Sequence, residues 1–459
     1  MKVGVVGCGH VGLVTAAALA ELGHEVLGTD RDAEKLALLA RGETPFYEPG
    51  LEEALRRGKR AGRLRFTPDP AEALRDAEVV FICVGTPPRA DGEANLLAVE
   101  RSGSTIARHG RDGAIVVEKS TVPAGTADRL AEILRREGGG RRFEVASNPE
   151  FLREGSALRD ALEPDRIVIG IGSARSLRTL ARLYEPLTRE GHPLIVTDIR
   201  TAELAKHASN AFLAMKISFA NALARLCERA GADVAAVADV MGADPRIGRA
   251  FLDAGLGYGG YCFPKDVAAL ERLARRLGYG FPLLREVARL NDEAVEAAVE
   301  KIADALWHLE GKRIAILGLS FKPETDDVRL SPALTLADRL LAAGAEVVGF
   351  DPRAGRNAKE ELPALRVAAD PYEAAAGAHC LVIATAWREF RDLDLVALRA
   401  CMAYPVVVDG RNLLDPEAVV AAGFTYYPTG RPPLRPEAPA PPRPAAEPVR
   451  AGPLGLSTG

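Results

Sequence analysis

Short apolar runs alternate with helical segments along the first part of the chain. Residues 2–7 are an apolar run that predicts a buried strand, an Ala- and Leu-rich helix is expected over about 11–22, and 24–30 predicts a second strand. Two further strands are predicted, at 77–84 and 114–118. Short, fully apolar strands separated by helices are typical of a parallel sheet covered by helices on both faces. We therefore predict a doubly wound α/β domain over residues 1–198.

The strand pattern stops near residue 200, and helical periodicity continues to about residue 300. Strand alternation returns near residue 312, where the chain resembles its own beginning. Three matches carry this repeat: Arg313–Gly318 with Lys2–Gly7, Ala345–Asp351 with His24–Asp30, and His379–Thr385 with Glu78–Gly85. An internal repeat indicates a duplicated structural unit. We expect a second α/β domain over 311–430, joined to the first by a central helical domain over 199–310.

The tail over residues 431–459 differs in composition from the rest of the chain. It holds nine prolines in 29 residues and hardly any large apolar side chain. Such a segment cannot bury enough surface to offset the entropy lost on ordering, so we predict a disordered tail. A proline-rich segment that binds a partner is the alternative.

Composition and charge exclude several classes of protein. The 459 residues are 47% hydrophobic and 27% charged, which allows a large core. The formal net charge of −4 argues against a nucleic-acid or membrane-surface binder. No apolar run reaches the roughly 18–20 residues of a membrane-spanning helix, and no signal peptide precedes the first strand. We expect a cytoplasmic protein.

Cysteine and histidine spacing gives no sign of a metal centre. Six cysteines lie far apart with no C-x-x-C pair, and seven histidines show no metal-ligand spacing. We predict neither a metal nor a disulfide framework, and no Ser/His/Asp hydrolase elbow is present. Each cysteine is expected to be a core thiol unless its neighbours indicate otherwise.

The glycine motif after the first strand predicts a dinucleotide site. Gly7, Gly9 and Gly12 complete G-x-G-x-x-G between strand and helix, and Asp30 closes the second strand. The glycines allow a tight turn and close approach of a pyrophosphate to the helix N-terminus, while the carboxylate can accept hydrogen bonds from the ribose. The acidic side chain favours NAD over NADP, although Arg31 beside it keeps NADP as an alternative.

The second α/β domain repeats the strand without the glycine motif. Leu319 and Ser320 follow Gly318, so side chains occupy the space of a pyrophosphate. Lys322 and Arg329 come after the carboxyl end of a strand, where open α/β sheets bind ligands. Cations at this edge suit a phosphate-bearing substrate. A solvated loop with incidental charges is the alternative.

Cys262 departs from the expectation of a core thiol. It follows a glycine-rich turn and lies within four residues of Lys265 and Asp266, in a region expected to begin a helix. A nearby ammonium group or a helix N-terminus lowers the pKa of a thiol towards the reactive thiolate. We therefore expect Cys262 to be a nucleophile with a lowered pKa.

Other candidate residues occur in pairs. Lys206 and Asn210 are four residues apart on a predicted helix, so they share one face. Only 11 of the 59 basic residues are lysine, and a partly buried amine can stabilise an oxyanion. Glu150 and Glu154 are also four apart and are expected to share a helical face, where one could hold or activate a water. Thr121 follows a strand and is a candidate partner of water or cofactor.

Taken together, these residues resemble one family, the UDP-glucose/GDP-mannose dehydrogenases, over about residues 1–430. The resemblance rests on several motifs in one order. They are Gly7–Gly12, Val84–Pro87, Ser120–Pro123, Asn148–Gly155, Lys206 to Asn210, Phe251–Gly260, Cys262–Asp266 and Phe321–Pro323. The implied fold is two Rossmann-like, doubly wound parallel-sheet domains joined by a central helical domain.

The resemblance implies a four-electron oxidation of UDP-glucose at C6 to UDP-glucuronate, with two NAD⁺ consumed in sequence. Cys262 would capture an aldehyde as a thiohemiacetal, and the second oxidation would give a thioester that water hydrolyses. Lys206 and Asn210 would stabilise charge on the C6 oxygen, and Asp266 would support proton movement. Glu154 and Thr121 resemble the family's water-handling residues.

The resemblance also assigns binding residues. The implied cofactor contacts are Gly7, Gly9, Val11, Gly12, Asp30, Lys35, Thr86, Thr121, Glu154, Lys265 and Arg329. The implied sugar-nucleotide contacts are Glu150, Phe151, Leu152, Glu154, Lys206, Asn210, Phe251, Leu252, Asp253, Ala254, Gly255, Gly259 and Lys322. Arg246 resembles a residue that reaches the substrate of a neighbouring subunit, so a homodimer built on the central helices is expected.

Two departures and three rivals remain at this point. The family more often has a small residue where this chain has Tyr261, and often asparagine where it has Asp253, which makes sugar selectivity less secure than reaction class. The rivals are oxidation of GDP-mannose or another nucleotide sugar, a two-electron β-hydroxyacid dehydrogenase, and a catalytically silent NAD-binding sensor or scaffold. The β-hydroxyacid enzyme would need neither Cys262 nor a third domain, and the silent protein would not need the complete catalytic set.

Overall fold

The computed structural model describes residues 1–89 and 92–436. Within these residues the chain forms an eight-stranded sheet, a group of long helices and a six-stranded sheet, in that order. Helices cover the sheets, and the long helices lie between the two sheets along the chain. The predicted α/β fold class is confirmed.

The first sheet and its helices are built by residues 2–197. The strands are β1 Lys2–Val6, β2 Glu25–Thr29, β3 Leu64–Thr67, β4 Val79–Ile82, β5 Ile115–Glu118, β6 Glu144–Ser147, β7 Ile167–Gly170 and β8 Leu194–Thr197. The helices are α1 His10–Glu21, α2 Ala33–Arg41, α3 Leu51–Arg60, α4 Pro70–Leu74, α5 Leu97–His109, α6 Thr126–Glu137, α7 Ala157–Leu162, α8 Ala174–Leu183 and α9 Glu185–Arg189.

The strand order of this sheet is β3-β2-β1-β4-β5-β6-β7-β8. The first six strands are parallel, whereas β7 pairs antiparallel with β6 and parallel with β8. The sequence pattern had suggested a parallel sheet, and this prediction is wrong for the pairing of β6 with β7. An antiparallel neighbour begins at the edge where the previous strand ends, so the chain between β6 and β7 stays at the carboxyl edge. This edge is where open α/β sheets bind ligands.

The central region consists of four helices, α10 Ile199–Ala230, α11 Val234–Gly242, α12 Cys262–Arg276 and α13 Pro282–Leu306. The 32-residue helix α10 begins at a cap, because the Asp198 side chain accepts a hydrogen bond from the Thr201 backbone N–H. It ends at Gly231, which has a φ of 71°. Small and apolar residues of α10, α12 and α13, including Ala214, Leu273 and Val287, pack into one buried cluster.

The second sheet has strand order β11-β10-β9-β12-β13-β14, with all neighbours parallel. Its strands are β9 Arg313–Leu317, β10 Glu346–Phe350, β11 Arg366–Val367, β12 Cys380–Ile383, β13 Val406–Asp409 and β14 Thr425–Pro428. Its helices are α14 Pro332–Ala342, α15 Gly355–Glu361, α16 Pro371–Ala375, α17 Leu395–Cys401 and α18 Pro416–Ala421, with a short 3₁₀ helix at Arg388–Asp392. Helix α13 joins the core of this sheet through Val295, Ala298 and Ile302.

Order continues a few residues into the predicted disordered tail. Leu434 and Tyr426 exchange backbone hydrogen bonds of 2.9 and 2.8 Å, and the Arg431 guanidinium donates to Asp233 on the central region. These contacts hold the start of the proline-rich segment against the second sheet. The remainder of the predicted tail, residues 437–459, lies outside the described residues. No helix in the described ranges is long and apolar enough to cross a membrane.

Candidate active site

The glycine motif lies between β1 and α1, where two of its glycines are required by packing. Gly7 has a φ of 94°, and a Cβ at Gly12 would lie 1.9 Å from the Gly7 carbonyl oxygen. A Cβ at Gly9 would meet no heavy atom within 4 Å, so the chain leaves open space in front of the α1 N-terminus. This is the space that a pyrophosphate requires.

Asp30 follows β2 beside this space. Its carboxylate accepts hydrogen bonds from the Cys8 backbone N–H at 2.7 Å and from Lys35 Nζ at 3.2 Å. Burial on its own raises the pKa of Asp30, but these donors outweigh it and lower the pKa, so the group stays ionised. A carboxylate has about four acceptor positions, which leaves capacity for ribose hydroxyls. The glycine loop, with Val11 on its helix, and this carboxylate fit NAD.

Asp351 follows β10 of the second sheet as Asp30 follows β2 of the first. Both oxygens of its carboxylate accept hydrogen bonds from other groups of the protein. One of its oxygens accepts from the backbone N–H groups of Leu319 and Ser320 and from the Trp387 indole. The other oxygen accepts from two backbone N–H groups of the next turn. Because Leu319 and Ser320 are fully buried at the place of the first domain's open loop, there is no matching space for a second pyrophosphate.

A buried ion pair links the central helices to the edge of the first sheet. Lys206 on α10 lies 3.0 Å from Glu150, and their side chains are 4% and 6% exposed. Burial lowers the pKa of Lys206, but its carboxylate neighbours, Glu150 before Asp266, outweigh it and raise the pKa. The amine therefore remains a cation in a nearly dry site, where it can stabilise an oxyanion.

Asn210 lies one turn further along α10 and contacts Asp266 on α12. Its amide nitrogen donates to Asp266 Oδ2 at 2.6 Å, and Lys265 Nζ donates to Asp266 Oδ1 at 2.6 Å. Burial raises the pKa of Asp266, but the charge of Lys265 leads the groups that lower it overall. As predicted from their spacing, Lys206 and Asn210 lie on one buried face of the helix.

Cys262 is the first residue of α12, as expected, but its predicted acidity is wrong. Burial is the largest effect and raises the pKa of the thiol to about 12. Glu150 adds to this effect, and Lys206 only partly opposes it. A lowered pKa was expected from cations near Cys262 in sequence. The folded chain instead buries the thiol beside carboxylates, and both effects raise its pKa. Cys262 is therefore held as a neutral thiol within the electrostatic reach of Lys206 and Asp266.

Glu150 and Glu154 do not share a helical face, because the segment that contains them is irregular and α7 begins only at Ala157. Gly155, with a φ of 80°, belongs to the turn that precedes α7. Glu150 instead points to Lys206, and its carboxylate also accepts from the Leu152 backbone N–H at 2.6 Å. The two carboxylates therefore contact different neighbours.

Glu154 contacts the loop after β9, in the second α/β domain. It lies 3.6 Å from Arg329, and the Arg329 guanidinium also pairs with Asp327 at 2.6 Å. Burial and the charge of Asp327 raise the pKa of Glu154 to about 7, despite the opposing charges of His10, Arg329 and Lys322. The pKa of Lys322 is lowered by burial, although Glu154 opposes that shift. The predicted residues Glu154, Lys322 and Arg329 therefore lie together.

Thr86 and Thr121 connect two loops at the carboxyl edge of the first sheet. The Thr86 hydroxyl donates to the Thr121 backbone carbonyl at 2.9 Å. Phe151, also at this edge, lies close to two cations, with the Arg166 guanidinium carbon at 3.8 Å and Lys206 Nζ at 5.2 Å from its ring centroid. The loops predicted to meet cofactor and sugar therefore share one edge.

The segment from Phe251 to Gly259 lies between the central helices and the second sheet. Phe251 has a φ of 65°, an uncommon conformation for a bulky residue. The Gly255 N–H donates to the Asn221 side chain, and a Cβ at Gly259 would lie 2.2 Å from the Leu330 carbonyl. Leu252 and Ala254 are buried. The charge of Asp253 is largely solvated and paired with Arg249 at 2.7 Å, which reduces its influence on a ligand.

Arg246 is not brought to the site of its own chain. Its guanidinium is 87% exposed and pairs with Asp244 at 2.5 Å in the loop after α11. This placement agrees with a residue that acts outside its own subunit, which stays a prediction.

The sequence analysis missed several buried polar residues that hold the site loops. Lys119 Nζ donates to Asn148 Oδ1 at 2.9 Å, and the Tyr184 hydroxyl donates to the same oxygen at 2.5 Å. Glu48 accepts from the backbone of Gly155 and Ala157 and contacts His10 of the glycine motif. The scarcity of lysine could have indicated Lys119, whereas Glu48 lies 38 residues from His10 and 107 and 109 from its backbone partners, so it carries no local signal.

Arg411 was missed in the same way. Its guanidinium donates to the Ala384 carbonyl at 2.7 Å and lies 3.4 Å from the carbonyl of Gly257, in the segment from Phe251 to Gly259. Burial lowers its pKa to about 10, partly offset by Asp409. No group of three or more metal-ligating side chains lies close together within the described ranges.

Three family models match consecutive parts of the chain. They describe the UDP-glucose/GDP-mannose dehydrogenase family: its NAD binding domain at residues 1–188, its central domain at 200–293 and its UDP binding domain at 315–416. The order of the three matches follows the order of the two sheets and the helical region between them.

Curated relatives and solved structures align along nearly the whole chain. A UDP-glucose 6-dehydrogenase of Rhizobium meliloti is 45% identical over 94% of this chain and 100% of its own length. One from Bacillus subtilis is 44% identical over 94% of this chain and 98% of its own length. The structure of a UDP-glucose dehydrogenase from Pyrobaculum islandicum superposes with a TM-score of 0.85 at 43% identity, covering 90% of this chain and 94% of that one.

Proposed function

Because this chain belongs to the UDP-glucose/GDP-mannose dehydrogenase family and is an NAD-dependent oxidoreductase, we propose that it oxidises the C6 alcohol of UDP-glucose to UDP-glucuronate. The oxidation removes four electrons, and bound NAD⁺ supplies the hydride acceptor for each of its two steps. The observation that carries the proposal is the buried cluster of Lys206, Glu150 and Asp266, whose charges act on the buried Cys262 thiol. A two-electron alcohol dehydrogenase would have no need of such a thiol.

The first step needs stabilisation of negative charge on the C6 oxygen. Lys206 suits this role because it stays cationic while buried, and its partner Glu150 fixes the position of the amine. Asn210 and Asp266 are hydrogen-bonded to each other one turn away, which places an amide and an ionised carboxylate beside the same space. The alcohol proton leaves through this polar group as the C–H hydrogen departs with its electron pair.

The second step needs a covalent intermediate. The Cys262 sulfur forms a bond to the C6 carbon of the aldehyde, and the thiol proton ends on the former aldehyde oxygen, which gives a thiohemiacetal. Loss of a second hydride and of the hydroxyl proton gives a thioester. Water then adds to the carbonyl, the C–S bond breaks, and the sulfur recovers a proton as the acid is released.

Hydrolysis of the thioester requires a group that handles water. Glu154, with a pKa of about 7, divides between acid and carboxylate near neutral pH, which suits proton exchange with water. Thr121 lies at the same edge and its carbonyl is held by Thr86. We assign these two residues to the water, with Lys265, Arg329 and the glycine loop on the cofactor side.

The nucleotide part of the substrate is assigned to the third part of the chain. The loop from Phe251 to Gly259 lies against the second sheet, and Lys322, in the loop after β9, is buried within reach of Glu154 and Cys262. The match of residues 315–416 to a UDP binding domain supports a nucleotide sugar, and the relatives named for UDP-glucose support uridine over guanosine.

We also propose a homodimer through α10. Exposed or half-buried residues recur along this helix with alternating spacings of four and three, the pattern of a helix–helix seam. They are Ala208, Phe212, Met215, Phe219, Ala222 and Leu226. Phe212, Phe219 and Leu226 are 58%, 49% and 61% exposed, so a partner helix would bury a continuous apolar stripe. Arg246 would then reach the site of the partner subunit.

A cysteine variant tests the covalent step. Cys262→Ser keeps the shape of the site but offers a much weaker nucleophile at neutral pH, so we expect formation of UDP-glucuronate to fall by about a thousandfold or more. Cys401→Ser, a change in α17 of the second sheet domain, serves as the matched control and should retain activity. Product measured by chromatography at an unchanged rate in Cys262→Ser would contradict the proposal.

A further inference from the structure

Tyr261 precedes Cys262, and its ring lies close to two cations. The Arg329 guanidinium carbon is 4.6 Å from the ring centroid, and Lys265 Nζ is 5.5 Å from it. Both distances are within the range of cation–π attraction, which would hold two otherwise flexible side chains in place. Lys265 is buried and also bound to Asp266, whereas half of the Arg329 side chain is exposed.

The hydroxyl of Tyr261 makes a contact on a third element. The Thr86 backbone N–H, in the loop after β4, is close enough to the phenol oxygen to oppose the rise of its pKa. Burial raises the pKa of the phenol, with Arg329 opposing the shift, so the hydroxyl stays protonated. One side chain of the central region therefore touches both the first domain, through Thr86, and the loop after β9, through Arg329.

The backbone around the ring reinforces these contacts. The Gly260 N–H donates to the Arg329 carbonyl at 3.0 Å, and Arg329 continues to Glu154 and Asp327 through its guanidinium. The Tyr261 ring lies against Lys265 and Arg329, whereas Lys206 is paired with Glu150. The ring and hydroxyl of Tyr261 contact Thr86, Lys265 and Arg329, all of which belong to the cofactor side of the proposed site.

We propose that Tyr261 is a positioning residue for the dinucleotide, not a wall of the sugar pocket. By holding Lys265, Arg329 and the Thr86 loop in one arrangement across three parts of the chain, it sets the affinity for NAD. This inference rests on the proposed function, because the cofactor roles of those three residues come from it.

The test measures binding of NADH and of UDP separately. Tyr261→Ser removes both ring and hydroxyl, and we expect it to weaken NADH binding, followed by nucleotide fluorescence, by about tenfold. Tyr261→Phe keeps the ring beside both cations and should weaken NADH binding by only about two- to threefold. The calorimetric dissociation constant of UDP should stay within about twofold of the wild type in both variants.

Tyr279→Ser is the matched control, because it removes an exposed tyrosine of the same region. It should change neither ligand's affinity. Unchanged NADH binding in Tyr261→Ser, or an equal loss for NADH and UDP, would overturn the positioning role. A loss confined to UDP would place the ring in the sugar pocket and overturn it as well. Absence of NADH binding in the wild type would instead refute the cofactor site itself.

Discussion

The Cys262 thiol is protonated before it reacts. Burial holds its pKa at about 12, so the thiolate is scarce near neutral pH. The proposed addition to an aldehyde tolerates this, because the thiol proton can pass to the oxygen that Lys206 polarises. A neutral thiol also avoids placing another negative charge beside Glu150. The site therefore keeps its nucleophile unreactive until a carbonyl carbon is presented.

Glu154 leads to a prediction about pH. Burial and Asp327 raise its pKa to about 7, so it is mostly protonated below pH 7 and mostly ionised above. If the carboxylate accepts a proton from the hydrolytic water, kcat rises with pH through about 7. The measurement is the rate of NADH formation between about pH 5.5 and 8.5. Glu154→Gln should lose this dependence, whereas Glu100→Gln, an exposed carboxylate of α5, should keep it. The same dependence in Glu154→Gln would contradict the assignment.

Residue-level chemistry was only partly predictable from sequence. The fingerprint of Gly7 to Asp30 is local, so its elements could be predicted directly. The pairing of Lys206 with Glu150 joins residues far apart in sequence, and only the fold brings them together. The acidity of Cys262 was predicted in the wrong direction because burial, the largest effect, cannot be derived from adjacent residues.

At the scale of elements, the turn between β1 and α1 contains one glycine that packing requires, Gly12, and one that borders only open space, Gly9. A Cβ at Gly9 meets only open space, and the φ of −78° and ψ of −168° suit alanine. Gly9→Ala should therefore keep the melting temperature of the wild type while weakening NADH binding by at least about tenfold, since the methyl group occupies the pyrophosphate space.

Gly12→Ala provides the contrast. Its Cβ would lie 1.9 Å from the Gly7 carbonyl oxygen, so the turn has to move. We expect a lower melting temperature together with loss of NADH binding. Thermal denaturation and NADH fluorescence of both variants check this pair. Full NADH affinity in Gly9→Ala would show that the open space is not the pyrophosphate site.

Helix α10 supports a prediction about assembly. Phe219→Asp places a charge in the middle of the apolar stripe, and we expect a monomer by light scattering where the wild type is a dimer. Leu277→Asp, at a side chain 74% exposed beyond α12, should leave the dimer intact. A wild type that is monomeric, or a Phe219→Asp variant that stays dimeric, would contradict the proposed interface.

Element prediction failed where spacing alone was used. The four-residue interval between Glu150 and Glu154 suggested a helix, but the structure has an irregular segment before α7. Pro149 and Gly155 interrupt the segment, and its contacts with Glu48 and Lys206 stabilise it through tertiary structure. The sequence analysis named no strand at β7 and expected a parallel sheet, because the direction of a short apolar strand cannot be read from its own residues.

At the scale of the whole molecule, the two sheets resemble each other, but only the first has the open space that a dinucleotide needs. Asp30 and Asp351 occupy equivalent positions after β2 and β10, yet only Asp30 borders open space. The repeat was visible in the sequence, and so was the loss of the glycines after Gly318. The contacts that occupy Asp351 were not, because the Trp387 indole reaches it from another strand connection.

The central claim is a four-electron oxidation of one substrate in one site. Its most direct test is the amount of NADH formed per molecule of limiting UDP-glucose, with purified protein and excess NAD⁺, beside the same assay with GDP-mannose. The account predicts two NADH per UDP-glucose and little or no turnover of GDP-mannose. One NADH per UDP-glucose with release of an aldehyde, or NAD⁺ binding without turnover of either sugar nucleotide, would contradict it.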